Sequence, residues 1–278
     1  MTIIQILIVA AAALFWGLVM RERGRKYFLL IASVLVIFWL QPALPLRGFD
    51  FWIPIATLVI TVFSWYVTAT EESRREKKNW IVIGILAGTV LLLNLTRYLP
   101  FDSILTPSRP PQTLTLMLVL AFSSILFLLV TRLTRFNATL ISISIIFLLA
   151  IFLAIKIPAL AYWVSYGIRS LTHQSLTEAK AIDLRWMGFS YVAFRIIHTL
   201  RDRQMGRLPA VDLAEYVTYV IFFPAFTAGP IDRIERFIKD LRKPAALGND
   251  ELLIAGQRFM IGLFKKFVVA DALALIAL

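Results

Sequence analysis

Tyr191, Arg195, His198 and Asp202 are the residues of this chain best spaced for joint chemistry. Their separations of four, three and four place them, at about 100° per residue, in one narrow arc of a helix predicted over 184–203. Opposite them lie Val192, Ile196 and Thr199-Leu200, which are mostly apolar. A guanidinium and an imidazole on one stripe of an apolar segment are costly, so they must meet water or partners. The stripe therefore has two readings. It is the wall of a substrate cavity, or it is an internal polar network in which Arg195 pairs with Asp212, Glu215 or Asp202. The two are compatible. His198 and His173 are the only histidines. An imidazole beside a carboxylate serves as a general base near neutral pH, but a lone histidine in a membrane helix is more often a hydrogen-bonded structural residue.

Other chemistries are excluded by what the chain lacks. With no cysteine there is no disulfide, thiolate metal site or thiol nucleophile. There is no nucleophile elbow, phosphate-binding P-loop or HExxH helix, and no resident metal or cofactor is expected.

The element that must face the stripe is unusual. The run Phe222-Phe223-Pro224-Ala225-Phe226-Thr227-Ala228-Gly229-Pro230-Ile231-Asp232-Arg233 breaks an apolar segment with two prolines and a glycine. Broken backbone is tolerated at membrane depth only where protein or a wet cavity satisfies the freed polar groups. Basic groups stand on both sides of it: Arg201, Arg203 and Arg207 before, Arg233, Arg236, Lys239, Arg242 and Lys243 after. Placing both on one side of a membrane makes 212–230 re-entrant. Residues 231–242 read as an amphipathic interfacial helix, with Ile231, Ile234, Phe237, Ile238 and Leu241 on its apolar face. Asp232 and Arg233, where the backbone emerges, are expected to make a specific pair and, with Tyr191, Arg195 and His198, to line the cavity.

The rest of the chain is the frame. Of 278 residues, 59% are hydrophobic and 17% charged, against about 25% charged in soluble domains. Apolar runs near 3–20, 27–46, 49–70, 79–99, 112–130 and 138–155 each approach the ~20 residues of a membrane-crossing helix. Residues 159–171 are too short and read as partly buried or interfacial; 184–200, 212–229 and 252–278 are polar-interrupted segments. The expectation is an all-α polytopic membrane protein with about 8–9 membrane segments, divided into N-terminal transmembrane helices (1–156) and a core segment (157–278). Lys and Arg concentrate in loops 21–26, 71–78 and 131–137 and are sparse in the alternate loops, which puts the N-terminus outside. The net charge of +12 is therefore read as membrane topology, not nucleic-acid binding.

Residues 187–243 resemble the signature block of the membrane-bound O-acyltransferase (MBOAT) family. Met187-Gly188-Phe189-Ser190-Tyr191-Val192-Ala193-Phe194-Arg195 is similar to its start, and Tyr219-Val220-Ile221-Phe222-Phe223-Pro224 with Ala228-Gly229-Pro230-Ile231 to its most distinctive stretch. Gly262-Leu263-Phe264-Lys265-Lys266-Phe267-Val268-Val269-Ala270-Asp271 resembles the segment that leads into the catalytic half of alginate-acetylation-type members. The resemblance implies an enzyme of a bacterial inner membrane. It would move an acyl group, in the first place acetyl, from a thioester (acetyl-CoA or acyl carrier protein) to a hydroxyl of a cell-surface polysaccharide or lipid. Membrane lipids, the donor and a protein that passes the acyl group to an exported glycan are the implied partners. The family's histidines lie downstream of the Lys265–Asp271 segment, so neither His173 nor His198 falls in the catalytic motif. No catalytic residue is therefore assigned, and the chain is expected to be an N-terminal portion without turnover by itself. A non-catalytic scaffold of the same fold, or a transporter with a mid-membrane site, are the alternatives.

Overall fold

The structure is a computed structural model that describes residues 24–100, 105–133, 138–227, 229, 232–243 and 248–276, with the isolated positions 7, 10 and 11. The apolar run at 3–20 falls almost wholly outside them. Among the described residues all regular structure is helical. The chain divides into two compact units, Lys26–Arg242 and Met1–Arg25 with Lys243–Leu278.

In the larger unit α1 (Arg25–Leu40) stops at Gln41-Pro42, and α2 (Phe49–Thr68) starts behind Gly48. The short α3 (Glu71–Arg75) is capped by the Thr70 hydroxyl, and α4 (Lys78–Leu95), α5 (Thr113–Leu133) and α6 (Ala138–Lys156) follow. Pro158 opens α7 (Pro158–Leu171) at a position where its missing N–H costs nothing. Then come α8 (Phe189–Gln204), α9 (Leu213–Val220) and α10 (Ile234–Arg242). In the smaller unit α11 (Asn249–Phe264) passes through a π-helical turn (Lys265–Val269) into α12 (Ala270–Ile276). Such a turn inserts extra residues without ending the helix.

Four described helices are long and apolar enough to cross a membrane: Phe49–Thr68, Lys78–Tyr98, Thr113–Val130 and Ala138–Lys156. This corrects the expected 8–9 membrane segments. At 1.5 Å per residue the 16 residues of α1 and of α8 reach about 24 Å, the 14 of α7 about 21 Å and the 8 of α9 about 12 Å, short of a ~30 Å hydrocarbon layer. Their apolar residues are there to be buried by protein. α9 is the clearest case: every residue from Leu213 to Val220 is buried, and the helix packs against α2, α4, α8 and α10.

Several polar groups inside this unit are satisfied locally, although both carboxylate oxygens of the buried Asp50 find no hydrogen-bond donor among the described residues. Thr57, Thr61 and Thr68 of α2 return their hydroxyls to carbonyls one turn back. The Tyr216 hydroxyl sits between Ser64 Oγ at 2.8 Å and Thr199 Oγ1 at 2.7 Å, joining α9 to α2 and α8. On α7 the stripe Ala161, Ser165 and Arg169 is buried against the turn Ala181–Leu184. There Asp183 Oδ2 accepts from Arg169 Nε (3.0 Å) and Nη2 (2.9 Å), from Ser165 Oγ (2.7 Å) and from the Lys180 N–H (3.2 Å).

Candidate functional site

The site begins at Gly188, which caps α8 at φ 72, in the left-handed region that most side chains avoid. The Phe226 ring lies against it so closely that a Cβ on Gly188 would meet Cε1 at 2.5 Å. The start of α8 is thereby keyed to the broken segment, and the helix presents its next two turns to that break.

Arg195 is the centre of the site. It is 3% exposed. Nη1 donates to the carbonyls of Tyr219 (3.1 Å) and Val220 (3.0 Å), and Nη2 to that of Ala225 (2.9 Å). These are carbonyls at the end of α9 and in the 3₁₀ turn Phe223–Ala225, which the break deprives of helical partners. A cation at a helix C-terminus is also favoured by the helix dipole. The guanidinium stands 5.8 Å from the Tyr219 ring centroid. The freed Phe223 N–H is taken by Ser33 Oγ of α1 at 3.4 Å.

The expected carboxylate partner of Arg195 is therefore overturned. Asp212 caps α9 in a reciprocal box with Glu215 and pairs with Lys26 at 2.5 Å and Lys78 at 3.6 Å. Glu215 takes both Arg242 Nε and Nη2 at 2.8 Å. Asp202 lies beside His198. Each candidate acid is spent elsewhere, while carbonyls freed by the break offer Arg195 what a carboxylate would. At the N-cap, burial alone would push the Asp212 carboxyl up, but the Lys26 bond, the Glu215 N–H and the Lys78 charge outweigh it and hold it below the usual range.

After the break the chain doubles back. Tyr219 Oη donates to the Asp232 carbonyl at 2.8 Å, and Arg242 Nη2 reaches the Ala210 carbonyl at 3.0 Å, so α10 returns along α9. Gly229 belongs to this reversal: a Cβ there would meet Ala225 Cβ at 2.3 Å. The apolar face read as interfacial is instead packed on protein. Ile234 and Ile238 are buried, and Phe237 meets the rings of Tyr219 at 5.4 Å and Phe222 at 5.1 Å. Ile231 and Pro230 lie outside the described residues.

The other candidates sit around Arg195 in different ways. Tyr191 is partly exposed one turn before it, and Asp232 is within electrostatic reach without pairing to it. The Asp232 carboxylate accepts the Arg233 backbone N–H at 2.9 Å, while the Arg233 side chain is exposed, so the two do not form the expected side-chain pair. His198 Nδ1 lies 3.1 Å from Asp202 Oδ2 but out of line for a hydrogen bond. His173 stands apart from the stripe, on the loop after α7, at φ 53. Among the described residues no cluster of His, Asp and Glu fits a metal ion. Sequence reasoning missed Ser33 and Phe226; a serine and a phenylalanine in apolar runs carry no signal of what they touch.

Set beside known proteins, a third of this chain has relatives. It is 36% identical over 92 residues to a teichoic acid D-alanyltransferase of Streptococcus thermophilus, which is 32% of this chain and 22% of that one. It is 32% identical over 95 residues to the teichoic acid D-alanyltransferase of Bacillus subtilis, 32% of this chain and 24% of that one. To a probable alginate O-acetylase of Pseudomonas syringae pv. tomato it is 33% identical over 92 residues, 33% of this chain and 18% of that one. The chain thus spans about a quarter or less of the length of these relatives. No family model and no solved structure matches it.

Proposed function

We propose that this chain belongs to the MBOAT acyltransferases and supplies their membrane scaffold in a bacterial plasma membrane, with its N-terminus outside. The observation that carries the reading is that about a third of the chain is similar to proteins named for two different transfers, D-alanyl to teichoic acid and acetyl to alginate. In the reaction proposed, the hydroxyl oxygen of a cell-surface polysaccharide or lipid bonds to the acyl carbon of a thioester, acetyl in the first place. The carbon–sulfur bond breaks and the thiol leaves with the hydroxyl proton. Acetyl-CoA or an acyl carrier protein is the donor, and a partner protein hands the acyl group to an exported glycan.

In this scheme the motif-bearing part is 157–278, carried by the helices of 1–156. Arg195 is a positioning residue: its Nη1 and Nη2 donate to the carbonyls of the break and hold it in place. Tyr191, His198, Asp232 and Arg233 stand around that turn and line the donor or acceptor path. Acyl transfer needs a base at the hydroxyl and stabilisation of the developing oxyanion, and neither role is assigned to these residues.

The test is made in cells that produce the protein. Ester-linked acyl groups on the surface polymer, released by mild base, should disappear on deletion of the gene. They should fall at least tenfold with Arg195→Met and persist with His198→Ala. Unchanged acyl content after deletion would sink the proposal.

A further inference from the structure

A groove of about 540 Å³ opens where α2, α5 and α6 pass one another. Ala56 and Val59 of α2, Ser123 and Phe127 of α5, and Ser144 and Phe147 of α6 line it. Val59, Ser123 and Phe147 each stand within one residue of the midpoint of their helix. All three helices are long enough to cross a membrane. The groove therefore lies near mid-bilayer, inside a hydrocarbon layer ~30 Å thick. α5 leans on α2 through Phe127, whose ring stands 6.3 Å from Phe63 and 4.9 Å from Tyr66. α6 packs on α2, α7 and α8. The space between α5 and α6 is left open.

The wall selects hydrocarbon. Among the described residues no charged side chain lines it. Ser64 Oγ is bonded to Tyr216 Oη at 2.8 Å, and Ser144 Oγ donates to the Leu140 carbonyl at 2.9 Å. Trp186, also in the wall, donates its Nε1 to Thr57 Oγ1 at 2.9 Å. The mouth faces the surroundings: Val59, Ile143 and Phe147 are 40%, 56% and 60% exposed. At this depth the surroundings are lipid chains. The groove is too narrow for another helix. Along α6 it runs from Ile143 to Ile151, about 12 Å at 1.5 Å per residue. A helix ~10 Å across would need about 900 Å³ over that length. A second apolar cavity, of about 170 Å³, shares Ile151 and Trp186 with the groove and continues to Ile155. Ile155 is one residue from the end of α6. The path thus leads from the end of α6 past its middle, about 18 Å, close to the ~15 Å of hydrocarbon in one leaflet. That is the course of one acyl chain.

We propose that this groove holds an acyl chain of a bilayer phospholipid, entering beside the end of α6 and reaching mid-bilayer between α2, α5 and α6. The chain acts as a wedge. It supplies van der Waals contacts to faces of α5 and α6 that the protein leaves open, and such packing is what holds helices together in lipid. The site is separate from the turn held by Arg195 and does not depend on the acyltransferase reading.

The purified full chain is reconstituted into phosphatidylcholine vesicles in which a small fraction of the lipid carries a photoactivatable diazirine in the distal half of one acyl chain. After irradiation the labelled positions are mapped by peptide mass spectrometry. Label should concentrate on 56–63, 123–127 and 143–151, in excess of Phe122 and Ile146, which are exposed outside the groove. Ala56→Phe and Ser144→Phe each put a ring into the groove. Each should lower its label about tenfold and leave Phe122 and Ile146 labelled as before. In lipid-free detergent both variants should unfold at or above the wild-type midpoint, because the ring takes the place of the chain. Ile146→Phe should change neither readout. Undiminished groove label in both filled variants, or label spread evenly over groove and outer face, would overturn the site. Midpoints lowered in both would mark the space as packed core and overturn it too. Equal labelling by a free fatty acid carrying the same diazirine would overturn the phospholipid assignment. Crosslinks joining two chains through the groove would replace the lipid by a second copy.

Discussion

α9 and α5 are both apolar, and they do opposite jobs. In Thr113–Val130 of α5, 6% of the residues are buried inside the protein. In α9 all eight are buried. α5 has the length and continuity of a membrane helix and spends them on surroundings outside the chain. α9 is too short to cross anything and is the hub on which four other helices pack. Hydropathy therefore marks the periphery of this molecule, while its centre is marked by interruption: a cap, eight residues, and a broken turn held by one arginine.

The largest effect that would sharpen this contrast is at Arg195. Arg195→Ala leaves two buried carbonyls and a half-buried one without the guanidinium, at about 1–3 kcal/mol each, and should cost the larger unit on the order of 3 kcal/mol or more. Thermal unfolding in detergent measures it; a loss below about 1 kcal/mol would show that water replaces the guanidinium. Next is Asp183→Asn, which takes from Arg169 its buried carboxylate and leaves it the exposed Glu178 at 3.5 Å and the Ser175 carbonyl, and should cost about 3 kcal/mol. The wild-type pair also has a pH signature. Burial pushes the Asp183 carboxyl up, but Ser165, Arg169 and the Lys180 N–H together bring it below its ordinary value of 3.8. A carboxylate lowered in the folded state stabilises above its unfolded value and loses that contribution as pH falls through the lowered one. The stability gap between wild type and Asp183→Asn should therefore be constant above about pH 5 and shrink below about pH 4.

Gly188→Ala should cost about 2 kcal/mol, from a positive φ and a ring that must move. Phe226→Leu in the same background should recover part of it, and failure to do so would leave φ as the whole cause. At the periphery, Phe122→Ala and Ile146→Ala should change stability by less than about 0.5 kcal/mol, since the two side chains are 66% and 65% exposed. A cost above about 2 kcal/mol at either would break the comparison by showing that the periphery is also core.

The peripheral helices are the legible part. α2, α4, α5 and α6 follow from uninterrupted apolar runs of span length. The span count reads too high because an apolar residue signals removal from water without saying whether lipid or protein removes it. α1, α8 and α9 enter that count as membrane segments for this reason. At the site, the spacing of Tyr191, Arg195 and His198 locates the polar stripe of α8, and Pro224, Gly229 and Pro230 locate the break. What the stripe touches is not legible. Backbone carbonyls have no letter in a sequence, so a search for the partner of Arg195 among Asp and Glu cannot find Tyr219, Val220 and Ala225. For the same reason the apolar face of α10 looks ready for lipid, although Tyr219 and Phe222 cover it.

The bonds that tie α1 to the centre also set a clock. Lys26 waits for Asp212 and Ser33 for Phe223, partners 186 and 190 residues further along the chain. At the 5–20 residues per second of synthesis, about 10–40 s separate the first partner's appearance from the second's. Through that interval the nascent bundle exists without its hub, and the faces of α2 and α4 that will receive α9 stand open. Whatever inserts this protein into a membrane must hold those helices in register for that long, and α9 then locks them together.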